Sequence, residues 1–432
     1  MPIPIVCWST RQAIPEVNAF LHRPAFAPEA EQAAAAVLAD IRARGDAAVA
    51  AAAERFDGVA LKPSELLLTD AQVAAASAGI TAAERRAVRE AHRRVAAFAK
   101  AGLRKDWELA TPQGGKLGAR FLPLDRVGVY IPGGAAPLAS TALMTATLAK
   151  VAGVREIVAC TPCGRNKSVP PVLLHALKVA GATEIYRVGG IQSIGMLAFG
   201  TQSVRPVQKI VGPGGAFVTA AKRQVYGYVA LDLVAGPSEI AILADKTARP
   251  AWVAADLFSQ LEHGTGHEKA LLVTDSAELA QSVSDQLAWQ LPRLSRAARI
   301  APMLETGLLL VVVPTIEQGA ELCNQFAPEH LELMVARPRR LLPRLTAAGA
   351  IFIGPWTPES AGDFAAGPSH VLPTGGAARS FSGLTVEDFR RRTSLIEYTA
   401  GDLKAALPVI ETFGAIEGLD AHAQSGTIRF ES

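Results

Sequence analysis

Residues 150–157 read KVAGVREI, and nearly the same phrase returns at 178–185 as KVAGATEI. In each copy a helical run closes on glycine and a short β-rich run follows, so the interval between the copies is one strand-plus-helix unit. Outward from this pair, β-rich runs at 127–131, 156–160, 184–188 and 209–211 alternate with helical patterns at 138–152, 170–180, 191–199 and 216–226. That alternation predicts parallel βαβ units. A second series follows, with strands expected at 239–243, 270–274, 307–313, 331–336 and 350–353 and helices at 250–262, 276–290, 316–326 and 338–347. The expected fold is α/β: two doubly wound, incomplete Rossmann-like parallel-sheet lobes with a ligand crevice between them.

The flanks differ in character. Residues 28–110 are Ala-rich and helical, with Thr81 and Glu84 forming a capping box ahead of a long helix over 82–101. Beyond Gly354 the loop ESAGDFAAGPSHVLPTGG, punctuated by glycine and proline, leads to helical segments expected at 385–397 and 402–421. The division expected is a mainly helical N-terminal region over 1–110, a first lobe over 111–235, a second over 236–375 and a helical C-terminal arm over 376–432. The arm is too small for a core of its own, so it must pack on the lobes or on another subunit.

At 432 residues, half of them hydrophobic, the chain can fill a core in each lobe. A net charge of +3, spread without a basic block, argues against a nucleic-acid partner. Arg85, Arg89 and Arg93 recur every four residues, but Glu84 and Glu90 interrupt them and no aromatic lies among them, so they read as a solvated helix face. No run approaches the roughly 18 apolar residues of a membrane span, and MPIPIVCWSTRQ lacks the pattern of a secretion signal. A cytoplasmic protein without membrane contact is expected. Cys7, Cys160, Cys163 and Cys323 are too few and scattered for a disulfide framework, and the pair Cys160 and Cys163 has no second Cys or His pair to complete a metal site.

Chemistry concentrates at 326–334, FAPEHLELM. Pro328 bars Ala327 from the helical region and so ends the helix before it, while Leu331, Leu333 and Val335 alternate as a strand should. Glu329 and His330 therefore stand at a joint held on both sides, either as a surface ion pair or as an aimed acid–base pair. A positioned pair of this kind is typically worth about 10² to 10⁴ in rate. Gln260 and His263, three apart at a helix end, could share a cation, or His263 could simply favour the helix C-terminus. Asp363 and His370 lie in the glycine-punctuated loop, and His422 follows Glu417 near the end of the chain. The glycine turns IPGGAAP at 131–137, VGGIQSIG at 188–195 and VGPGGAF at 211–217 each follow a strand and open a helix, where a phosphate can meet the helix N-terminus. None completes G-x-G-x-x-G, and the strand ending at Cys160 offers no acidic residue for a ribose hydroxyl.

Taken together, RVGVYIPGGAAPLASTALM, VGGIQSIGMLAFGT, IVGPGGAFVTAAKRQV, AGPSEI, DLFSQLEHG, APEHLEL, ESAGDFAAGPSHVLPT and EGLDAHA resemble, in that order, the histidinol dehydrogenase family. The resemblance covers 120–425. It implies a zinc-dependent, NAD-dependent two-step oxidation of L-histidinol through L-histidinaldehyde to L-histidine, the last steps of histidine biosynthesis. It implies one zinc per subunit on Gln260, His263, Asp363 and His422, and proton transfer by Glu329 and His330. Ser238, Glu417, His330 and the metal ligands would line the substrate pocket, with His370 close by, while Tyr130 and Gln192 would contact NAD. It further implies a homodimer whose C-terminal arm brings Glu417 and His422 to the partner's site. Three positions depart from the family pattern: Gly215 replaces an asparagine that helps to hold NAD, Phe364 replaces a tyrosine, and Ser369 an asparagine. The alternative is a paralogue oxidising another small polar alcohol, such as a sulfonated diol, with NAD; Glu417, suited to a substrate amino group, argues against it.

Overall fold

The computed structural model describes residues 3–11, 14–22, 28–133, 137–233, 236–263 and 266–431. Residues 134–136 of the expected glycine turn at 131–137 lie outside the described residues. The strands, in chain order, are β1 (Ile5–Cys7), β2 (Trp107–Ala110), β3 (Lys116–Pro123), β4 (Arg126–Tyr130), β5 (Glu156–Cys160), β6 (Glu184–Tyr186) and β7 (Lys209–Val211). They continue with β8 (Ala230–Leu231), β9 (Glu239–Ala244), β10 (Lys269–Thr274), β11 (Leu308–Val312), β12 (His330–Met334), β13 (Ala350–Ile353) and β14 (Arg390–Glu397). A parallel sheet of order β6-β5-β4-β7-β8 forms the first lobe and one of order β1-β11-β10-β9-β12-β13 the second. The α/β fold with two parallel sheets is therefore as the alternation of runs requires.

Strand period two sends alternate residues of each sheet into opposite cores. Along the first sheet Val127, Val129, Ile157 and Ala159 meet the helices Ala139–Ala152 and Pro171–Ala180. Tyr130, Val158, Cys160 and Ile210 meet the helices Pro28–Arg44, Gly190–Phe199 and Ala216–Val225 on the other face. A parallel sheet needs both faces covered. The N-terminal helices supply part of each cover, since Val88, Val95 and Ala99 of the helix Ala82–Ala101 join the first of these cores. On that helix Arg93 and Arg94 pair with Glu90, which is the behaviour of a solvated face. In the second lobe Ile240 and Ile242 pack under the helix Pro250–Leu261, and Ala241 and Leu243 under Ile316–Phe326 and Phe20.

Two expected helices are absent. Residues 338–347 fold as two short 3₁₀ turns, Pro338–Arg340 and Leu342–Arg344, because Pro343 has no amide hydrogen to continue a helix. Residues 385–397 fold as a short 3₁₀ turn, Val386–Phe389, followed by β14, which pairs antiparallel with β3 over its whole length. The partner strand decides that conformation. With β2 these strands make a three-stranded sheet that carries the arm. Thr399 caps the arm helix Ala400–Glu417 and donates its hydroxyl to the Gln113 carbonyl in the β2–β3 turn. Asp420–Thr427 folds back on that helix, where the small Gly414 lets Ala423 approach. Val409, Phe413, Ile416, Leu419 and Ile428 nevertheless remain exposed.

Candidate active site

The helix Ile316–Phe326 ends as the proline spacing requires, with one difference. Ala327 takes the left-handed conformation, φ +49°, and its amide donates to the Cys323 carbonyl, rather than the extended conformation a following proline favours. The turn delivers Glu329 and His330 to the first position of β12, both buried. Here β9 begins beside them, and the Glu239 amide donates to Glu329 Oε2 at 3.1 Å. Ser238, half-buried, is the residue before it. The helix Pro250–Leu261 runs back across the sheet, so its last turn places Gln260 at the same edge.

His330 is the centre of the cluster. Its Nδ1 lies 3.2 Å from Gln260 Oε1, 3.3 Å from Glu359 Oε1 and 4.0 Å from Glu329 Oε2. Its ring meets the edge of Phe352, with centroids 5.8 Å apart. Nε2 is buried without a hydrogen-bond partner and lies 3.8 Å from Asp363 Oδ1, itself unpartnered. With acceptors on the Nδ1 side, the proton of the neutral ring belongs on Nδ1, leaving a lone pair on Nε2. The neutral ring is the form present at neutral pH, because burial pushes the His330 pKa down to about 4. Burial raises the Glu329 carboxyl well above its usual range and pushes Glu359 up to about 8, and neighbouring carboxylates add to both.

Asp363 sits 3.8 Å from His370 Nδ1, and His370 Nε2 lies 3.0 Å from the Thr141 hydroxyl. Thr141 belongs to the helix that follows β4, at the C-terminal edge of the first sheet. The site therefore joins the C-terminal edge of one sheet to the N-terminal edge of the other. A ligand crevice at the carboxyl ends of the strands is the ordinary arrangement for the first lobe, and the second lobe departs from it. His263, exposed just past its helix, stands close enough to His330 and His370 to disfavour their protonation. Glu417 and His422 are exposed on the arm and are not members of this cluster within the protomer.

The donor set suits a divalent cation. His330, Glu359 and Asp363 offer atoms within 4.8 Å of one another, and His330 Nε2 and Asp363 Oδ1 are buried without partners. Unpaired buried polar atoms are costly, so the His330 Nε2 lone pair and the Asp363 oxygen 3.8 Å from it leave places for a ligand hydroxyl on the one and a cation on the other. Glu359 was not among the residues expected here. Its signal was present, four residues before Asp363 and so on the same face of a helical turn. Ser259 donates to its Oε2, and its own amide donates to Glu332 Oε1 at 2.7 Å. Thr141 carried no signal.

Toward the first lobe, the Gly190 amide donates to the Tyr130 hydroxyl at 3.4 Å, and Gln192 Nε2 donates to Asp57 Oδ2 at 2.9 Å. The turn after β7 is held from behind. Buried Lys222 donates to the Gly212 carbonyl at 2.9 Å and pairs with Asp232, whose other oxygen accepts from the Gly212 amide at 2.7 Å. Gly212 has φ +119°, and a Cβ there would stand 2.1 Å from the Tyr130 carbonyl oxygen. A Cβ on Gly215 would meet nothing within 4 Å. This leaves open backbone at a helix N-terminus, where an anion can approach. Phe364 is exposed, and the Ser369 hydroxyl donates to the Met144 carbonyl at 3.0 Å, so neither departure leaves a buried polar group unpaired. Cys160 is buried and Cys163 partly so, and burial raises both thiols, which keeps them protonated.

Two parallel-sheet lobes meeting at a buried imidazole–carboxylate cluster are the arrangement of an α/β enzyme equipped for proton transfer. Comparison with known proteins agrees: the family described as histidinol dehydrogenase matches residues 22–430. The chain is 43% identical over 403 residues to a histidinol dehydrogenase of Geobacillus kaustophilus, covering 93% of this chain and 94% of the relative. It is 44% identical over 415 residues to one from Synechococcus sp., covering 96% and 94%. The crystal structure of the histidinol dehydrogenase from Elizabethkingia anophelis superposes with a TM-score of 0.93 at 32% identity, covering 100% of this chain and 98% of that one. The chain belongs to the histidinol dehydrogenase family.

Proposed function

We propose that this enzyme oxidises L-histidinol to L-histidine in two NAD-dependent steps, with zinc anchoring the substrate. The observation that carries the proposal is the unpartnered Nε2 of buried, neutral His330, aimed at Asp363 and flanked by Glu329. Gln260, His263 and Asp363 would hold zinc with His422 from a second subunit, and the ion would supply a fixed charge that orients the imidazole and amino groups of the substrate. NAD would accept a hydride in each step. His330 takes the hydroxyl proton through Nε2 as hydride leaves the carbinol carbon, giving the aldehyde. Glu329 then takes a proton from the water that adds to the aldehyde while His330 returns its proton to the carbonyl oxygen, giving the hydrate, and the neutral His330 takes a hydroxyl proton of that hydrate as the second hydride leaves. Thr141 holds His370 against Asp363.

Dimerisation through the arm belongs to the same proposal. The exposed apolar side chains of the arm, Val409, Phe413, Ile416, Leu419 and Ile428, are of the character that another subunit covers. Covering it would bring Glu417 and His422 to a partner's cluster.

The test is NADH formed per L-histidinol consumed, with excess NAD, on zinc-loaded and chelator-treated protein. Two NADH per substrate, lost with the metal and regained with zinc, are expected. One NADH would mean that the aldehyde escapes, and none from folded, zinc-loaded protein would transfer the proposal to another small polar alcohol. A related expectation concerns Gly215. Asparagine has room there, so Gly215→Asn should tighten NAD binding roughly two- to tenfold, as one added hydrogen bond allows, measured by titration calorimetry. Unchanged affinity would show that the pocket already compensates.

A further inference from the structure

In the order β6-β5-β4-β7-β8 the chain begins at β4, moves outward through β5 and β6, and returns on the other side of β4 at β7. That is the topological switch at which doubly wound sheets bind dinucleotides. In such sheets an acidic residue at the end of the second strand takes the hydroxyls of the adenosine ribose. The second strand here, β5, ends at Cys160 and runs on as TPCGR, with no acid.

The missing carboxylate arrives from elsewhere in the chain. Asp57 closes the π-helical turn Ala53–Asp57, and Gly58 beyond it takes a left-handed conformation, φ +67°, that turns the backbone away. Gln192, at the start of the helix after β6, donates to Asp57 Oδ2. The negative charge of Asp57 is felt by the Tyr130 hydroxyl at the end of β4 and by the Cys163 thiol in the loop after β5. Gln192, from the carboxyl end of the first sheet, thus holds this one half-buried carboxylate, and Tyr130 and Cys163 from the two neighbouring strand ends lie near enough to feel its charge. Its second oxygen makes no hydrogen bond among the described residues, so it remains free to accept from a ligand hydroxyl.

We propose that Asp57 accepts hydrogen bonds from the adenosine ribose of NAD and sets the preference for NAD over NADP. The inference rests on NAD being the oxidant. A 2′-phosphate placed there would meet the carboxylate, which costs binding by like-charge repulsion. Two cations lie near this turn: Arg165 Nε is 4.0 Å from where a Cβ on Gly58 would stand, and the charge of Arg187 is felt by the Cys163 thiol. Removing the negative charge of Asp57 leaves those two guanidinium groups to attract a phosphate instead.

The test is the dissociation constant of NAD and of NADP, by titration calorimetry without substrate, for the unaltered protein, Asp57→Asn and Gln192→Ala. Asp57→Asn should weaken NAD about tenfold, the effect of losing a charge-assisted hydrogen bond, while NADP binds as well or better. The preference for NAD should therefore fall at least about tenfold. If Asp57→Asn weakens both dinucleotides equally and Gln192→Ala reproduces it, Asp57 only positions Gln192 and the proposal is overturned. No change in either constant would overturn it as well. Should the unaltered protein bind neither dinucleotide, the assignment of NAD as oxidant fails, which is a separate result.

Discussion

His330→Asn is expected to stop both oxidations, lowering kcat about 10² to 10⁴-fold on L-histidinol and, assayed separately, on L-histidinaldehyde. Asparagine keeps a donor toward Gln260 Oε1 and Glu359 Oε1, so the first position of β12 should stay folded. It cannot present a basic nitrogen where Nε2 now faces Asp363. An interaction used only in the transition state lowers kcat and leaves KM nearly unchanged. A variant with unchanged kcat on either substrate would remove His330 from that step.

Glu329→Gln is expected to separate the two steps. The amide is isosteric, and its oxygen still accepts from the Glu239 amide, so the strand entry is preserved. What is lost is the proton acceptor for water. Oxidation of the aldehyde should fall about 10²-fold or more, while oxidation of the alcohol falls by much less. Equal losses on the two substrates would deny Glu329 its role with water. Burial raises the Glu329 carboxyl, and a cation held at the neighbouring donor set would favour the carboxylate that this role needs.

The balance between local pattern and tertiary arrangement differs from element to element. Periodicity located β4 to β7 and β9 to β13 and most of the helices between them, since strands and helices of this kind are specified by spacing within ten or so residues. It failed at 385–397, where RRRTSLIE has no decisive period and β3 imposes the extended form. It also failed at β1, three residues whose only support is pairing with β11, more than half the chain away. The joint at Glu329 and His330 was legible because Pro328 and the strand alternation act locally. The same local rule missed the left-handed Ala327, which the surrounding packing selects.

What the sequence by itself determined is the α/β class, the two sheets, the joint that aims Glu329 and His330, and, through motif resemblance, the family. Only the tertiary structure decided that the second sheet turns its N-terminal edge to the site, that Glu359 stands 3.3 Å from His330, and that Thr141 braces His370. It alone decided that Asp57 stands beside Gln192 at the carboxyl end of the first sheet. The physical reason is range: backbone dihedrals and amphipathic spacing act between near neighbours, whereas these contacts join residues from 29 to 229 positions apart, which sheet order and helix packing bring together.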